Sequence, residues 1–152
     1  MSGKVLIRPM KPDDLSAVMA IEETCIGNSW SRASMEKELV NPQAHYLSAC
    51  SEETGEVLGY AGYWQVLDEG HIMNIAVRED LRGRGIGRVL MEEMLLSGDA
   101  LGILYWTLEV RVSNTPAIRL YERTGFTSAG IRPGYYENPR EDANIFWLTR
   151  QI

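Results

Sequence analysis

Residues 81–90, "LRGRGIGRVL", alternate arginine with glycine and then run into a helical pattern. Gly83, Gly85 and Gly87 lack the β-carbons that hold a ligand away from a backbone, so the chain there can be approached closely. Before this stretch "HIMNIAV" (71–77) reads as a strand, and "REDLRGRG" joins it to the next element. After it Ile86, Val89, Leu90 and Met94 recur at helical spacing until "SGD" at 97–99 supplies a stop. A helix N-terminus carries unpaired N–H groups and about half a positive charge, which suits a phosphate and above all a pyrophosphate. Arg82, Arg84 and Arg88 add positive charge beside it.

Two common phosphate motifs fail on spacing. A P-loop needs a lysine directly after its last glycine, and none stands there; a dinucleotide fingerprint needs a glycine at position 88, which is Arg88. The plainer alternative, a solvated loop punctuated by glycines, is disfavoured by the strand before it and the helix after it.

Working outward, "KVLIRPM" (4–10) reads as an opening strand and "PDDLSAVMAIEETC" (12–25) as a helix with acidic residues in its first turn, where the helix dipole favours them. Leu15, Val18, Ile21 and Cys25 share its buried face. Ser31 starts a second helix over "SRASMEKEL" (31–39). Three strands come next, "AHYLSAC" (44–50), "EVLGYAGYWQVL" (56–67) and "HIMNIAV", as an antiparallel meander. Beyond the glycine helix come a buried strand, "ILYWTLEVRV" (103–112), and a helix that Asn114, Thr115 and Pro116 open and Gly125 ends. "FTSAGIR" (126–132) and "ANIFWLTR" (143–150) close the chain as strands. The order β-α-α-β-β-β-α-β-α-β-β predicts an α/β (α+β) protein, a mixed sheet of six to seven strands with about four helices packed on it.

The chain has 152 residues, room for one continuous core, and is read as a single domain over 1–152. At 45% apolar and 24% charged it has an ordinary globular composition. No apolar run approaches the roughly 20 residues of a membrane span, and "MSGKVLIRPMKPDD" lacks the apolar core of a secretory signal; a cytoplasmic location with no membrane partner is expected. Cys25 and Cys50 belong to no metal or disulfide pattern, and no metal site is expected. A net charge of −6 argues against direct nucleic-acid binding and permits a cationic partner.

Arg82-Gly83-Arg84-Gly85-Ile86-Gly87 matches the Q/R-x-x-G-x-G/A signature, between a central strand and a helix, and with it the chain resembles the GNAT family of N-acetyltransferases. "NIAV" (74–77), "LEVRVSN" (108–114), "LYERTGF" (120–126), "YY" (135–136) and the "REDA" after it are similar to the branch that acetylates the N-terminal alanine of a bacterial ribosomal protein. That resemblance implies acetyl-CoA as donor, lying where two neighbouring parallel strands splay apart. Main-chain groups of Ile75, Ala76 and Val77 would then pair with the acetyl group and pantetheine arm. Residues 82–88, with Ile86 and Gly87 among them, would hold the pyrophosphate, and Asn114 would hydrogen-bond the pantetheine. The implied partner is a protein or peptide N-terminus, most specifically a small-subunit ribosomal protein; a lysine side chain, a small-molecule amine, or a non-catalytic acetyl-CoA-binding module are the alternatives.

Acetyl transfer to an amine needs a group to take a proton and a group to give one. Glu109 is an acidic residue inside an otherwise apolar strand, where burial raises a carboxyl toward the range of a useful base; the alternative is an outward-facing carboxylate paired with Arg111. By the resemblance it is the proton acceptor, directly or through water. Tyr121 shares a helix face with Ala117 and Ile118 and reads by pattern as core; the resemblance makes it the acid that protonates the departing thiolate. Tyr135 and Tyr136 line the peptide entrance or simply pack the last strands. His45 and His71 pair with no serine or cysteine motif and read as surface or structural residues.

Overall fold

The computed structural model describes residues 4–25 and 30–150. Strand β1 (Val5–Pro9) leads through a 3-10 turn at Pro12–Asp14 into helix α1 (Leu15–Glu22), followed by α2 (Arg32–Leu39). The meander is β2 (Ala44–Ser51), β3 (Val57–Val66) and β4 (Glu69–Val77). A second 3-10 turn at Glu79–Leu81 precedes α3 (Ile86–Ala100), and β5 (Tyr105–Arg111), α4 (Thr115–Arg123), β6 (Thr127–Tyr136) and β7 (Glu141–Thr149) complete the described chain. The strands form one mixed seven-stranded sheet in the order β1-β2-β3-β4-β5-β7-β6. The predicted succession of strands and helices is the one observed.

Every neighbouring pair is antiparallel except β4 and β5, which run parallel because α3 carries the chain over the sheet between them. Their ladder has three rungs, Glu69–Tyr105, Gly70–Trp106 and His71–Thr107, and then stops. On its other side β4 stays paired with β3 as far as Val77–Gly59, with Met73 bulged out between the Tyr63–Ile72 and Gly62–Asn74 pairs. A bulge bends and twists the strand that carries it, so β4 turns away from β5 just past the last rung. The result is a fork, with an unpaired β4 edge along one arm and β5 along the other.

Two apolar clusters sit on either side of the sheet. Leu90, Met91, Met94 and Leu95 of α3 meet Leu108, Tyr121 and Phe126, while Leu15, Val18 and Ile21 of α1 meet Met35 and Tyr60. Within β5, Trp106, Leu108 and Val110 join the α3 cluster, so Thr107, Glu109 and Arg111 face the other way. Trp106 is sealed at the apex of the fork: a β-carbon on Gly70 would stand 2.8 Å from its ring, and one on Gly98 2.3 Å.

Local departures from the sequence reading have identifiable causes. The "SGD" at 97–99 does not stop α3, which continues to Ala100, because Gly98 is the bare patch on which Trp106 packs. Val89 is 37% exposed rather than part of the buried stripe. Asp14 stands at the N-cap of α1 as the acidic start of the helix implies, and it does more there: it is buried, bound by Arg8 through both nitrogens (2.8 and 2.9 Å), by the Lys11 N–H and by the Ser48 hydroxyl. Cys25 lies beyond the end of α1, half-buried; both it and Cys50 are free thiols. Ser31 caps α2 as expected, accepting from the Ser34 N–H at 3.1 Å.

Candidate active site

The loop over residues 82–88 takes the conformation that its glycines permit. Gly83 (φ +80°) and Gly85 (φ +87°) are left-handed and exposed, and a β-carbon on either would point into open space. What the protein itself requires of them is therefore conformational: a positive φ, with no neighbouring atom that a β-carbon would strike. Gly87 differs: it lies in the first turn of α3, 3.4 Å from the Leu120 side chain at its β-position, and lets α3 pack against α4. The first helical bond runs from the Val89 N–H to the Gly85 carbonyl at 3.1 Å, which leaves Ile86, Gly87 and Arg88 with N–H groups that have no partner four residues back.

The arginines divide their labour. Arg82 is tied down, donating from Nε to the Val77 carbonyl (3.1 Å) and from Nη2 to the Thr24 hydroxyl (2.9 Å), so it braces the loop against β4 and the turn that follows α1. That bond also engages the carbonyl of Val77, one of the three residues whose main chain was expected to face the donor. Arg88 lies 3.9 Å from Glu92 on the exposed face of α3. Arg84 makes no ion pair among the described residues.

Across the fork, Glu109 is not paired with Arg111. Arg111 turns to the Glu137 and Pro139 carbonyls (3.1 and 2.8 Å) and to Glu141 (3.2 Å), and stacks over the Tyr136 ring at 4.5 Å. Glu109 Oε2 is instead 2.6 Å from His71 Nε2, and its Oε1 is 3.5 Å from the Tyr135 hydroxyl. Arg132 stacks over the Tyr135 ring at 5.2 Å and adds its charge nearby. Burial is the largest influence on Glu109 and pushes its carboxyl up, but the His71 bond and charge, then Arg132 and Tyr135, outweigh it. The net direction is down, so the expectation that burial raises this carboxyl is corrected. His71, read from sequence as a surface or structural residue, is the partner that the strand register brings to Glu109. His45 does take a structural place, bonded to Gln65 (3.1 Å) and packed on Tyr63.

Tyr121 is 6% exposed on the inner face of α4, 6.1 Å from the Phe126 ring and 6.2 Å from that of Phe146. Burial, with the Tyr136 phenol nearby, raises its pKa well above the ordinary phenol value. Its hydroxyl makes no hydrogen bond among the described residues, which leaves that proton uncommitted. Asn114 caps α4, its side-chain oxygen accepting from the Ala117 N–H at 3.3 Å and its amide NH2 left to donate elsewhere. Tyr135 and Tyr136 end β6 edge-to-face at 5.0 Å, with Tyr135 42% exposed. No three His, Cys, Asp or Glu side chains among the described residues form a metal cluster, and no described helix is long and apolar enough to cross a membrane.

A mixed sheet forked between two parallel strands, with a glycine-turned helix N-terminus beside the open arm, defines an acetyltransferase. The model of the acetyltransferase (GNAT) family matches residues 15–126, and the chain belongs to that family. It is an acetyl-CoA-dependent acetyltransferase. The [ribosomal protein bS18]-alanine N-acetyltransferase of Escherichia coli K12 is 37% identical over 93% of this chain and 95% of its own, and a Bacillus subtilis relative is 39% identical over 98% of both. The crystal structure of the E. coli ribosomal-protein-S18-alanine N-acetyltransferase superposes with a TM-score of 0.88, at 32% identity over 98% of this chain and 96% of that one. Ard1 from Thermoplasma volcanium also gives 0.88, at 26% identity over 97% and 99%.

Proposed function

We propose that this chain, acting as one domain over 1–152 in the cytoplasm, acetylates the N-terminal α-amine of a protein, an N-terminal alanine of a small-subunit ribosomal protein being the best-supported substrate. The observation that carries this reading is the fork, where the unpaired β4 edge and a half-buried carboxylate, Glu109, stand on opposite arms. The relatives named for alanine N-acetylation of a ribosomal protein support the substrate class.

The β4 edge at Ile75, Ala76 and the Val77 N–H would hold the donor's acetyl and pantetheine portions, Asn114 the pantetheine, and the N–H groups over Gly83–Arg88 the pyrophosphate. The thioester supplies an activated acyl carbon. The neutral amine nitrogen attacks that carbon and forms the new C–N bond, and Glu109 takes the proton that the nitrogen then sheds. Tyr121 gives its proton to the sulfur as the C–S bond breaks, so the products are an amide and a thiol. Tyr135 and Tyr136 flank the peptide at the rim.

The state of Glu109 bears on which amine it serves. A carboxyl held below its ordinary value is a weak base, so the substrate amine must already be partly neutral. An α-amine has an unperturbed pKa of about 7.7–8.0 against about 10.4 for lysine, a neutral fraction roughly 300-fold larger near pH 7. The acid–base balance therefore suits an N-terminus. The net charge of −6 favours the approach of a basic peptide. Mass spectrometry of protein N-termini from cells with and without this chain tests the reading: an acetyl group lost from an N-terminal alanine of a ribosomal protein is the expected result, and an unchanged set of N-termini contradicts it.

A further inference from the structure

The main-chain ladder between β4 and β5 ends at the His71–Thr107 rung, and Glu109 lies two residues further along β5. At that point the backbones separate, with Met73 bulged from β4, and among the described residues no main-chain rung joins the two arms beyond it. A side-chain bond takes over, with His71 Nε2 2.6 Å from Glu109 Oε2. The two partners are unequally placed: the His71 side chain is 39% exposed and that of Glu109 15%. The histidine is thus the outer member and the carboxylate the inner one. An ionised carboxylate only accepts, so Nε2 carries the hydrogen and the opposite ring nitrogen is turned away from the pair.

The remaining oxygen of Glu109 is held far less firmly. Oε1 has the Tyr135 hydroxyl at 3.5 Å, the outer limit of a hydrogen bond. Arg132 and Tyr135 of β6 face the carboxylate from the far side, and Ile145, its register partner on β7, is apolar.

We propose that His71 is a positioning residue for acetyl transfer: it pins Glu109 Oε2 across the fork and leaves Oε1 as the one face at which the base meets the substrate amine. The inference rests on Glu109 being that base. A carboxylate that rotated freely at the mouth of the fork would spend its bonding on solvent and on Arg132. Tied at one oxygen, it presents the other in a single direction, and misplacement by about 1 Å can cost on the order of 10²-fold in rate. The tie also links the base to the strand whose next residues form the unpaired edge, so donor site and base are set by one junction. His71 is the foremost of the groups that hold the Glu109 carboxyl down against burial. Removing it lets burial prevail, and Glu109 then titrates at higher pH.

Steady-state kinetics on the full chain, with acetyl-CoA and a peptide bearing a free N-terminal alanine, tests this through four variants. His71→Leu is expected to lower kcat roughly 10- to 100-fold, leave KM for acetyl-CoA within about twofold, and move the acid limb of the kcat/KM profile to higher pH. His71→Gln, whose amide nitrogen reaches the Nε2 position, restores most of kcat, whereas His71→Asn, with the same chemistry and less reach, does not. In 13C-labelled protein, the carboxyl resonance that vanishes in Glu109→Gln titrates at higher pH in His71→Leu. This readout needs no turnover. A slow Glu109→Gln beside a His71→Leu variant with wild-type kcat and an unmoved acid limb overturns the role of His71 and leaves the base in place. A Glu109→Gln variant as fast as wild type overturns both.

Discussion

Glu109 and Arg111 project from the same face of β5 and do not pair. Arg111 is spent on the Glu137 and Pro139 carbonyls and on Glu141, and Glu109 on His71. Two charges that the sequence leaves free to pair are separated because the turn between β6 and β7 and the first residue of β7 supply the arginine with other partners. The carboxylate is left at the fork with one oxygen open.

Acid and base are separable by pH. Loss of a proton-transfer group costs about 10²- to 10⁴-fold, so Glu109→Gln and Tyr121→Phe each lower kcat in that range with acetyl-CoA binding largely retained. Measured against wild type at the same pH, raising the pH partly restores Glu109→Gln, since hydroxide replaces the missing base, and does not restore Tyr121→Phe. Equal recovery in pH-dependent initial rates would reassign the roles.

The proposed phosphate loop depends on a left-handed residue. Gly85 sits at φ +87°, so Gly85→Val adds about 1–2 kcal/mol of backbone strain and a branched side chain beside the proposed phosphate path. Gly85→Asn, which tolerates that region, retains the fold and more of the affinity. Titration calorimetry with CoA should rank wild type over Asn over Val; a folded Val variant with wild-type affinity removes the loop from the site.

Gly98 holds the apex of the fork by its bareness. A β-carbon there meets the Trp106 ring at 2.3 Å, backed by the sheet, so Gly98→Ala is expected to cost about 1–3 kcal/mol despite alanine's higher helix propensity. A thermal melt that rises on substitution would mean the helix and Trp106 move apart without cost.

Asp14 makes stability depend on acid pH. The Arg8 bond, opposed by burial and helped by the Lys11 N–H and Ser48, holds it at about 2. A carboxylate with a lowered folded pKa stabilises above its unfolded value of about 3.9 and loses that contribution as pH falls through the folded one; here about 2 kcal/mol is present above pH 4 and gone near pH 2. Arg8→Ala lowers stability at neutral pH by about 3 kcal/mol, and urea denaturation should find the two proteins converging toward pH 2. Parallel curves across that range would show that Asp14 is not the titrating group.

The order of elements was legible because glycine, proline and capping residues punctuate the chain and hydrophobic period changes between them. Asn114 and Gly125 bracket α4 as their chemistry requires, and the 81–90 stretch marked both the crossover and the loop. His71 was not legible. Its role arises from where a parallel ladder happens to end, a long-range register that no local pattern carries. The end of α3 was misread for a related reason, since Gly98 looks like a stop until Trp106 is placed on it. The state of Glu109 could be foreseen only as far as burial, because the partners that reverse its direction come from β4 and β6.

Acetylation of an α-amine, rather than of a lysine, is tested most directly by one comparison. Two peptides of identical sequence, alanine first, basic residues next and lysines within, differ only in whether the N-terminal amine is free or blocked. With acetyl-CoA and the purified chain, mass spectrometry should find one acetyl group on the α-amine of the free peptide and no turnover of the blocked one. Acetylation of the blocked peptide at the same rate would contradict the N-terminal assignment and make lysine the substrate.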